Sequence, residues 1–367
     1  MSVSSDQVPI ENLRVSAYTI PTETPEADGT YEWDSTTIVV VQVEAGGKQG
    51  LGYSYADIAT AKLIDASLKQ VIIGCDAMSP QAAWSAMLTS IRNLGRPGIC
   101  SMAISAIDTA LWDLKARLLD LPLVTLLGQM RESMPMYGSG GFTNYSNQKL
   151  GEQLGGWVEQ GFLRVKMKIG RDSKSDVERV NAAREAIGNE VELFVDANGA
   201  YSHREALAQA QAFGEFDVRW FEEPVSSDDL EGLRFVRGHV PAQMQVAAGE
   251  YGYDRDYFRR MLEAGAVDVL QADATRCGGF TGFFRAAALC EAYHIPLSSH
   301  CAPALHVHIG CATSALCHGE YFYDHARIEG LIFDGVRAAL NGALRPDLTR
   351  SGMGLFLKRR DAEKFAA

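Results

Sequence analysis

The sequence predicts a parallel β/α barrel preceded by a smaller α+β module. Two observations carry this reading. From about residue 134 onward, short apolar runs recur at intervals of 20 to 28 residues, and their polar ends are Lys168, Asp196, Glu222, Glu250, Asp273, His300 and Glu320. One strand and one returning helix occupy about that length, so successive βα units would bring all these groups to one rim. The first 130 residues lack the period and run from strand patterns to helical ones, the mark of a separate α+β layer.

Val15 to Ile20 and Thr36 to Val43 read as strands, the second turning at Gly46-Gly47 and resuming at Gly50 to Tyr55 as an antiparallel meander. Helical spacing follows at about 57–72, 80–93 and 100–119, the last rich in alanine. Leu121-Pro122 and residues 128–134 lead into a first barrel strand at Met134 to Gly138. The expected division is a capping module over 1–130, a barrel over 131–330 and a C-terminal segment over 331–367. Pro21 to Ser35 is a polar stretch holding Glu23, Tyr31 and Trp33. A loop of that length is either a solvated tip or a lid, and its aromatic groups favour a lid that contacts a ligand through Glu23, Tyr31 and Trp33.

The chain has 367 residues, 47% hydrophobic and 22% charged, with a formal charge of −12. It can fill a large core, and without a basic block it does not suit nucleic acid. No apolar run reaches the length of a membrane span. Residues Met1 to Gln7 carry no secretory pattern, and the seven cysteines are odd in number without a CxxC pair. A cytoplasmic chain with reduced, mainly structural cysteines is expected, working on a small molecule and assembling as a homo-oligomer.

The spacings from Asp196 to Glu222 and from Glu222 to Glu250 are 26 and 28 residues. Three hard oxygen ligands on a common rim suit Mg²⁺, with positions left for water and substrate. Lys166 and Lys168, two apart on a strand, face the same side, where each disfavours the other's charge. His300 and Asp273 belong to adjacent strands, so the carboxylate can hold one ring nitrogen and leave the other free. Glu223 is either a second ligand or a partner of Lys166. Asn198 either caps its loop or orients a group at the rim, and His306 and His308 flank a helix start. His318 and Arg276 are further candidates for substrate contact.

Lys166-x-Lys168, Asp196-Ala-Asn198, Glu222-Glu223-Pro224, Gly249-Glu250, Asp273 with Gly278-Gly279, and Ser298-Ser299-His300 together resemble the enolase superfamily, in its mandelate racemase-like subgroup. The helix Ser105 to Lys115 resembles that family's N-terminal domain, so the likeness covers nearly the whole chain. The resemblance implies a modified (β/α)7β barrel of the TIM type, with the C-terminal segment packing back on the capping domain. It also implies Mg²⁺-dependent removal of the α-proton of a carboxylate through a stabilised enediolate. Lys168 is then the base, Lys166 its electrostatic partner and a contact for the substrate carboxylate, and His300 with Asp273 the opposite acid–base pair. Glu320 hydrogen-bonds the enediolate away from the metal.

A polar, acidic lid favours a sugar acid, which makes dehydration to a 2-keto-3-deoxy acid the expected reaction and racemisation or epimerisation the alternative. A non-catalytic ligand-binding barrel would not need every acid, base and ligand. A metal-dependent hydrolase would place more histidines on the rim.

Overall fold

The computed structural model describes residues 7–367, so the leader reading at the extreme N-terminus lies largely outside the described residues. A three-stranded antiparallel sheet of β1 (Asn12–Ala27), β2 (Glu32–Ala45) and β3 (Lys48–Tyr55) opens the chain. Helices follow at Ile58–Leu63, continuing through a π-turn to Ile72, and at Pro80–Ser90 and Ile99–Leu118. The last helix is buried on nearly every side because it is wedged between this sheet and the barrel. That location explains its alanines, which allow close approach on two faces.

Eight parallel strands then form the barrel: β4 (Met134–Gly140), β5 (Arg164–Lys168), β6 (Glu192–Asp196), β7 (Val218–Glu222), β8 (Gln245–Ala248), β9 (Val269–Ala272), β10 (Leu297–Ser299) and β11 (Leu316–Phe322). Seven helices connect them in turn, and β11 pairs with β4 through Gly319 and Met136, closing the ring. Side chains alternate along each strand, so Phe194 and Asp196 on β6 point inward together, as do Trp220 and Glu222 on β7. Tyr137, Phe194 and Trp220 fill the lumen as an aromatic layer, and the carboxylates sit above it.

The C-terminal segment returns across both parts. Residues 343–344 pair with β4, Arg117 donates to the Leu355 carbonyl at 2.8 Å, and the Ala367 amide donates to Ala17 at 3.0 Å. Among the described residues no helix is long and apolar enough to cross a membrane. All seven cysteines are free.

Three local expectations need correction. Most of Pro21 to Ser35 belongs to β1 and β2, which form one long hairpin turning at 28–31. The register slips between Pro21 and Glu26, where two prolines remove ladder donors, and regular pairing resumes at Glu26–Trp33. His306 and His308 lie within the helix Pro303–Cys311 instead of flanking its start. His318 faces the aromatic layer inside the barrel and is bonded to Ser298 at 3.0 Å, so it is not at the mouth. Burial lowers it to about 3, where it stays neutral.

Asp113 ties three segments together. Its carboxylate accepts from the Arg117 guanidinium at 2.7 Å, the Leu51 amide at 2.7 Å and the Met353 amide at 2.5 Å. Asp113→Ala strands a buried guanidinium and two amides, so a loss of about 3–5 kcal/mol is expected. Denaturant unfolding should show it as a lower midpoint; an unchanged midpoint would dismiss this tie between capping sheet, helix and tail.

Candidate active site

Lys168, Asp196 and Glu222 end their strands, Glu250 and Asp273 follow β8 and β9, His300 follows β10, and Glu320 lies within β11. Asp324, four residues on, is in the next helix, where it bonds Thr36 and Arg327. Gly249 brings Glu250 inward: its φ is +136°, and a Cβ there would sit 2.2 Å from the Gln271 carbonyl. The ligand atoms of Asp196, Glu222 and Glu250 all lie within 4.8 Å of one another.

Beside them, Lys168 Nζ donates to Asp196 at 2.5 Å. Lys166 Nζ donates to Glu222 at 2.6 Å and lies 2.9 Å from Glu320 and 3.3 Å from Asp196. Burial alone would lower both lysines, yet Asp196 at Lys168, and Glu222 with Glu320 at Lys166, hold them above the ordinary lysine range. The expected mutual depression is therefore overridden by the carboxylates. Lys166 is fully buried beneath these carboxylates and is not among the side chains that line the open cavity. Glu223 does not pair with Lys166 either; its backbone is left-handed at φ +39° and its buried Oε1 has no partner.

Six carboxylates, Asp196, Glu222, Glu223, Glu250, Asp273 and Glu320, are buried here against the cations Lys166, Lys168 and Arg276. Burial, then Asp196, raises Glu222 to about 8. Glu250 Oε2 is buried without a hydrogen bond although His300 Nε2 is 3.2 Å away. Convergent oxygens, an excess of negative charge and an unsatisfied ligand atom fit a hard divalent cation at Asp196, Glu222 and Glu250.

His300 Nδ1 is bonded to Asp273 Oδ2 at 2.9 Å, and Asp273 Oδ1 accepts from the Thr275 amide at 2.7 Å. Burial disfavours a charged imidazole, but Cys301, Glu250 and the Asp273 bond outweigh it and raise His300 well above the usual range. His306 supports the same loop by accepting from the Ala274 amide and bonding the Cys301 carbonyl. Glu320 accepts from Ser139 at 2.6 Å through Oε1 and from the Cys301 amide at 2.9 Å through Oε2. It is thus bonded as an ionised acceptor, and donating to an enediolate oxygen would first require a proton, for which Lys166 is adjacent.

Lys168, His300, Cys301, Glu320 and Arg276 open onto a cavity of about 480 Å³ that the hairpin tip crosses. Tyr31 and Trp33 stack at 6.1 Å over this mouth and line it, and Thr143 fixes the tip by bonding Ala27 and Asp28. Asn198 lines the cavity and keeps an unpartnered Oδ1, while its backbone N–H donates to Asp196 Oδ1 at 3.0 Å. Glu23 is different: its carboxylate accepts from the Tyr323 hydroxyl and it does not line the cavity, because the slipped register turns it outward. An adjoining hollow of about 600 Å³ is shared through Asn198 and Tyr251 and bordered by Glu223.

Sequence reasoning missed Ser139, Cys301 and the cavity wall formed by Tyr55 and His325, whose rings stack at 3.4 Å. Ser139 was within reach: it lies opposite Lys166 on β4, one residue beyond the predicted strand end. Tyr55 and His325 come from different domains and had no local signal.

A closed barrel with a carboxylate triad between a lysine pair and a histidine–aspartate pair defines an acid–base site built around a metal position. Residues 149–362 match the family described as enolase C-terminal domain-like, and residues 15–128 match the mandelate racemase / muconate lactonizing enzyme N-terminal domain. The chain belongs to the enolase superfamily, in its mandelate racemase-like branch.

It is 36% identical over 326 residues to 3,6-anhydro-alpha-L-galactonate cycloisomerase of Streptomyces coelicolor, covering 86% of this chain and 88% of that protein. A mandelate racemase/muconate lactonizing enzyme-like protein from Rubrobacter xylanophilus superposes with TM-score 0.96 at 52% identity, covering 98% and 100% of the two chains. L-talarate dehydratase from Polaromonas sp. JS666, complexed with Mg and L-glucarate, superposes with TM-score 0.88 at 29% identity, covering 99% and 98%.

Trp220 Nε1 donates to Glu222 Oε2 at 2.9 Å and can report on the triad. Titrating chelator-treated protein with Mg²⁺ should change indole emission. Asp196→Ala should weaken that binding by more than about 100-fold, beyond the usual effect of losing a supporting contact. Equal Mg²⁺ affinity in the variant would remove Asp196 from the ligand set.

Proposed function

We propose that this chain is a Mg²⁺-dependent acid-sugar dehydratase, a hydro-lyase that removes the α-proton of a sugar acid and expels the β-hydroxyl. The observation that carries the reading is the placement of Lys168 on β5 and His300 after β10 on opposite arcs of the ring, with the triad on the strands between. Asp196, Glu222 and Glu250 would hold Mg²⁺, which would supply Lewis-acid charge to a bound carboxylate and offset the anionic field that keeps Lys168 protonated.

Neutral Lys168 Nζ takes the α-proton, and the C–H electron pair passes into the carboxylate to give an enediolate. Lys166, fixed under the site by Glu222 and Glu320, adds a positive charge below it. His300, its Nδ1 held by Asp273, delivers the Nε2 proton to the β-hydroxyl as the C–O bond breaks, and water leaves. The enol product becomes a 2-keto-3-deoxy acid. Tyr31 and Trp33 exclude solvent at the mouth, and Asn198 and Arg276 offer polar contacts to the distal hydroxyls.

The dehydratase with bound L-glucarate supports a sugar-acid substrate. A second reading, isomerisation, is favoured by the likeness to the cycloisomerase and uses the same proton abstraction.

A screen of aldonic, aldaric and uronic-type acids in deuterated water tests both readings. With the best substrate, Lys168→Ala should lose α-hydrogen exchange and product together. His300→Asn should keep exchange while lowering keto-acid formation by about 10²–10⁴-fold. Wild-type turnover in both variants rejects the acid–base assignment, and an isomeric product without loss of water selects the second reading.

Tyr31→Ala and Trp33→Ala should lower kcat/KM for the best sugar acid by about 10-fold or more, near the energy of one or two lost aromatic contacts. Their Mg²⁺ affinity should stay at the wild-type value. Unchanged kcat/KM would make the tip mere surface.

A further inference from the structure

We infer that His300, Cys301 and Glu320 form a second metal position, distinct from the carboxylate triad and suited to a borderline-soft ion of the Zn²⁺ class. Cys301 Sγ lies 3.3 Å from His300 Nε2, and that nitrogen lies 3.8 Å from Glu320 Oε2. Ligand atoms from all three residues fall within 4.8 Å of one another. Zinc bonds of about 2.0–2.3 Å at tetrahedral angles place such atoms about 3.3–3.8 Å apart, the range of the two separations on His300 Nε2.

The surroundings match as well. The 2.9 Å bond from His300 Nδ1 to Asp273 fixes the ring so that Nε2 is the nitrogen turned toward Cys301 and Glu320, with Glu250 Oε2 at 3.2 Å, the carboxylate–histidine arrangement that supports zinc elsewhere. Ser139 and Lys166 engage Glu320 Oε1, leaving Oε2 on the side of His300 and the Cys301 amide. All three residues are buried in the cavity wall yet line its space, so a water or other small ligand can take the fourth position. Cys301 is set there by two consecutive left-handed non-glycine residues, with φ +52° at Cys301 and +40° at Ala302.

The triad at Asp196, Glu222 and Glu250 offers oxygen alone and favours a hard ion; the second set adds nitrogen and sulfur, which favour zinc over magnesium. Zn²⁺ binds the thiolate, so the Cys301 thiol proton passes to water as the Zn–S bond forms. No electron transfer is involved. Binding itself is independent of the catalytic reading. Its consequence rests on that reading, because an ion on His300 Nε2 blocks the atom that delivers the proton, and Zn²⁺ then inhibits even when Mg²⁺ fills the triad.

The test uses full-length protein saturated with Mg²⁺ and Co²⁺ as the visible stand-in for zinc. One equivalent of Co²⁺ should give a thiolate-to-metal charge-transfer band that Zn²⁺ removes and Cys301→Ser lacks. The wild-type protein gives a second measurement, in which Zn²⁺ but not Mg²⁺ should protect Cys301 from a small alkylating reagent, as read by peptide mapping. Absence of the band, a band that survives in Cys301→Ser, or equal alkylation of Cys301 with and without Zn²⁺ overturns the site. Zinc bound at Cys301 with turnover unaffected upholds the site and overturns the proton-delivery role given to His300.

Discussion

Six buried carboxylates at one end of a barrel repel one another, and most of the site follows from how that repulsion is balanced. The aromatic layer of Tyr137, Phe194 and Trp220 lies directly beneath and keeps water from screening them from below. Two lysines on β5 offset part of the charge, and Arg276 adds a third cation between Glu250 and Asp273. The remaining excess makes a divalent cation favourable at Asp196, Glu222 and Glu250 and gives the lysines their protonated resting state. Removing a neutralising group would shift the burden to its neighbours, so the effects of substitutions in this cluster should not add.

The capping domain does more than cover the mouth. Asp108 accepts from the amide and hydroxyl of Thr281, and Ser105 accepts from the amides of Gly278 and Gly279, so the capping helix closes the start of the barrel helix that follows Asp273. Gly279 is required because a Cβ would meet Asp108 Oδ2 at 2.3 Å. On the other side, Tyr53 donates to buried Glu329 at 2.5 Å, and Glu329 accepts from the Ala304 amide. The loop bearing His300 is thus anchored through a residue of the first sheet. Burial raises Glu329 to about 8, a cost consistent with a rigid link between domains.

Two neighbouring ligand sets of different chemical character share one cavity. The triad is all oxygen, while His300, Cys301 and Glu320 combine nitrogen, sulfur and oxygen. Glu250 Oε2 approaches His300, so charge placed on one set is felt by the other. The same imidazole orientation that suits proton delivery also makes His300 available to a competing metal. Function and vulnerability therefore arise from the same Asp273 hydrogen bond.

The barrel, its strand order and the common rim of the polar groups were legible in the sequence, because side-chain alternation and the length of a βα unit are local constraints. Asp196, Glu222 and Glu250 could be grouped from spacing, and Lys168, His300 and Asp273 fell on the same rim. Tertiary structure decided what those groups face. It sank Lys166 under the carboxylates, turned Glu23 toward Tyr323, moved His318 into the aromatic layer, and put Cys301 against His300 through a left-handed turn. It also made a long hairpin of a stretch that reads locally as loop, since pairing of Glu26 with Trp33 depends on a partner strand. Spacing along a chain fixes which end of a barrel a residue reaches; the direction of its side chain depends on neighbours that arrive from distant segments.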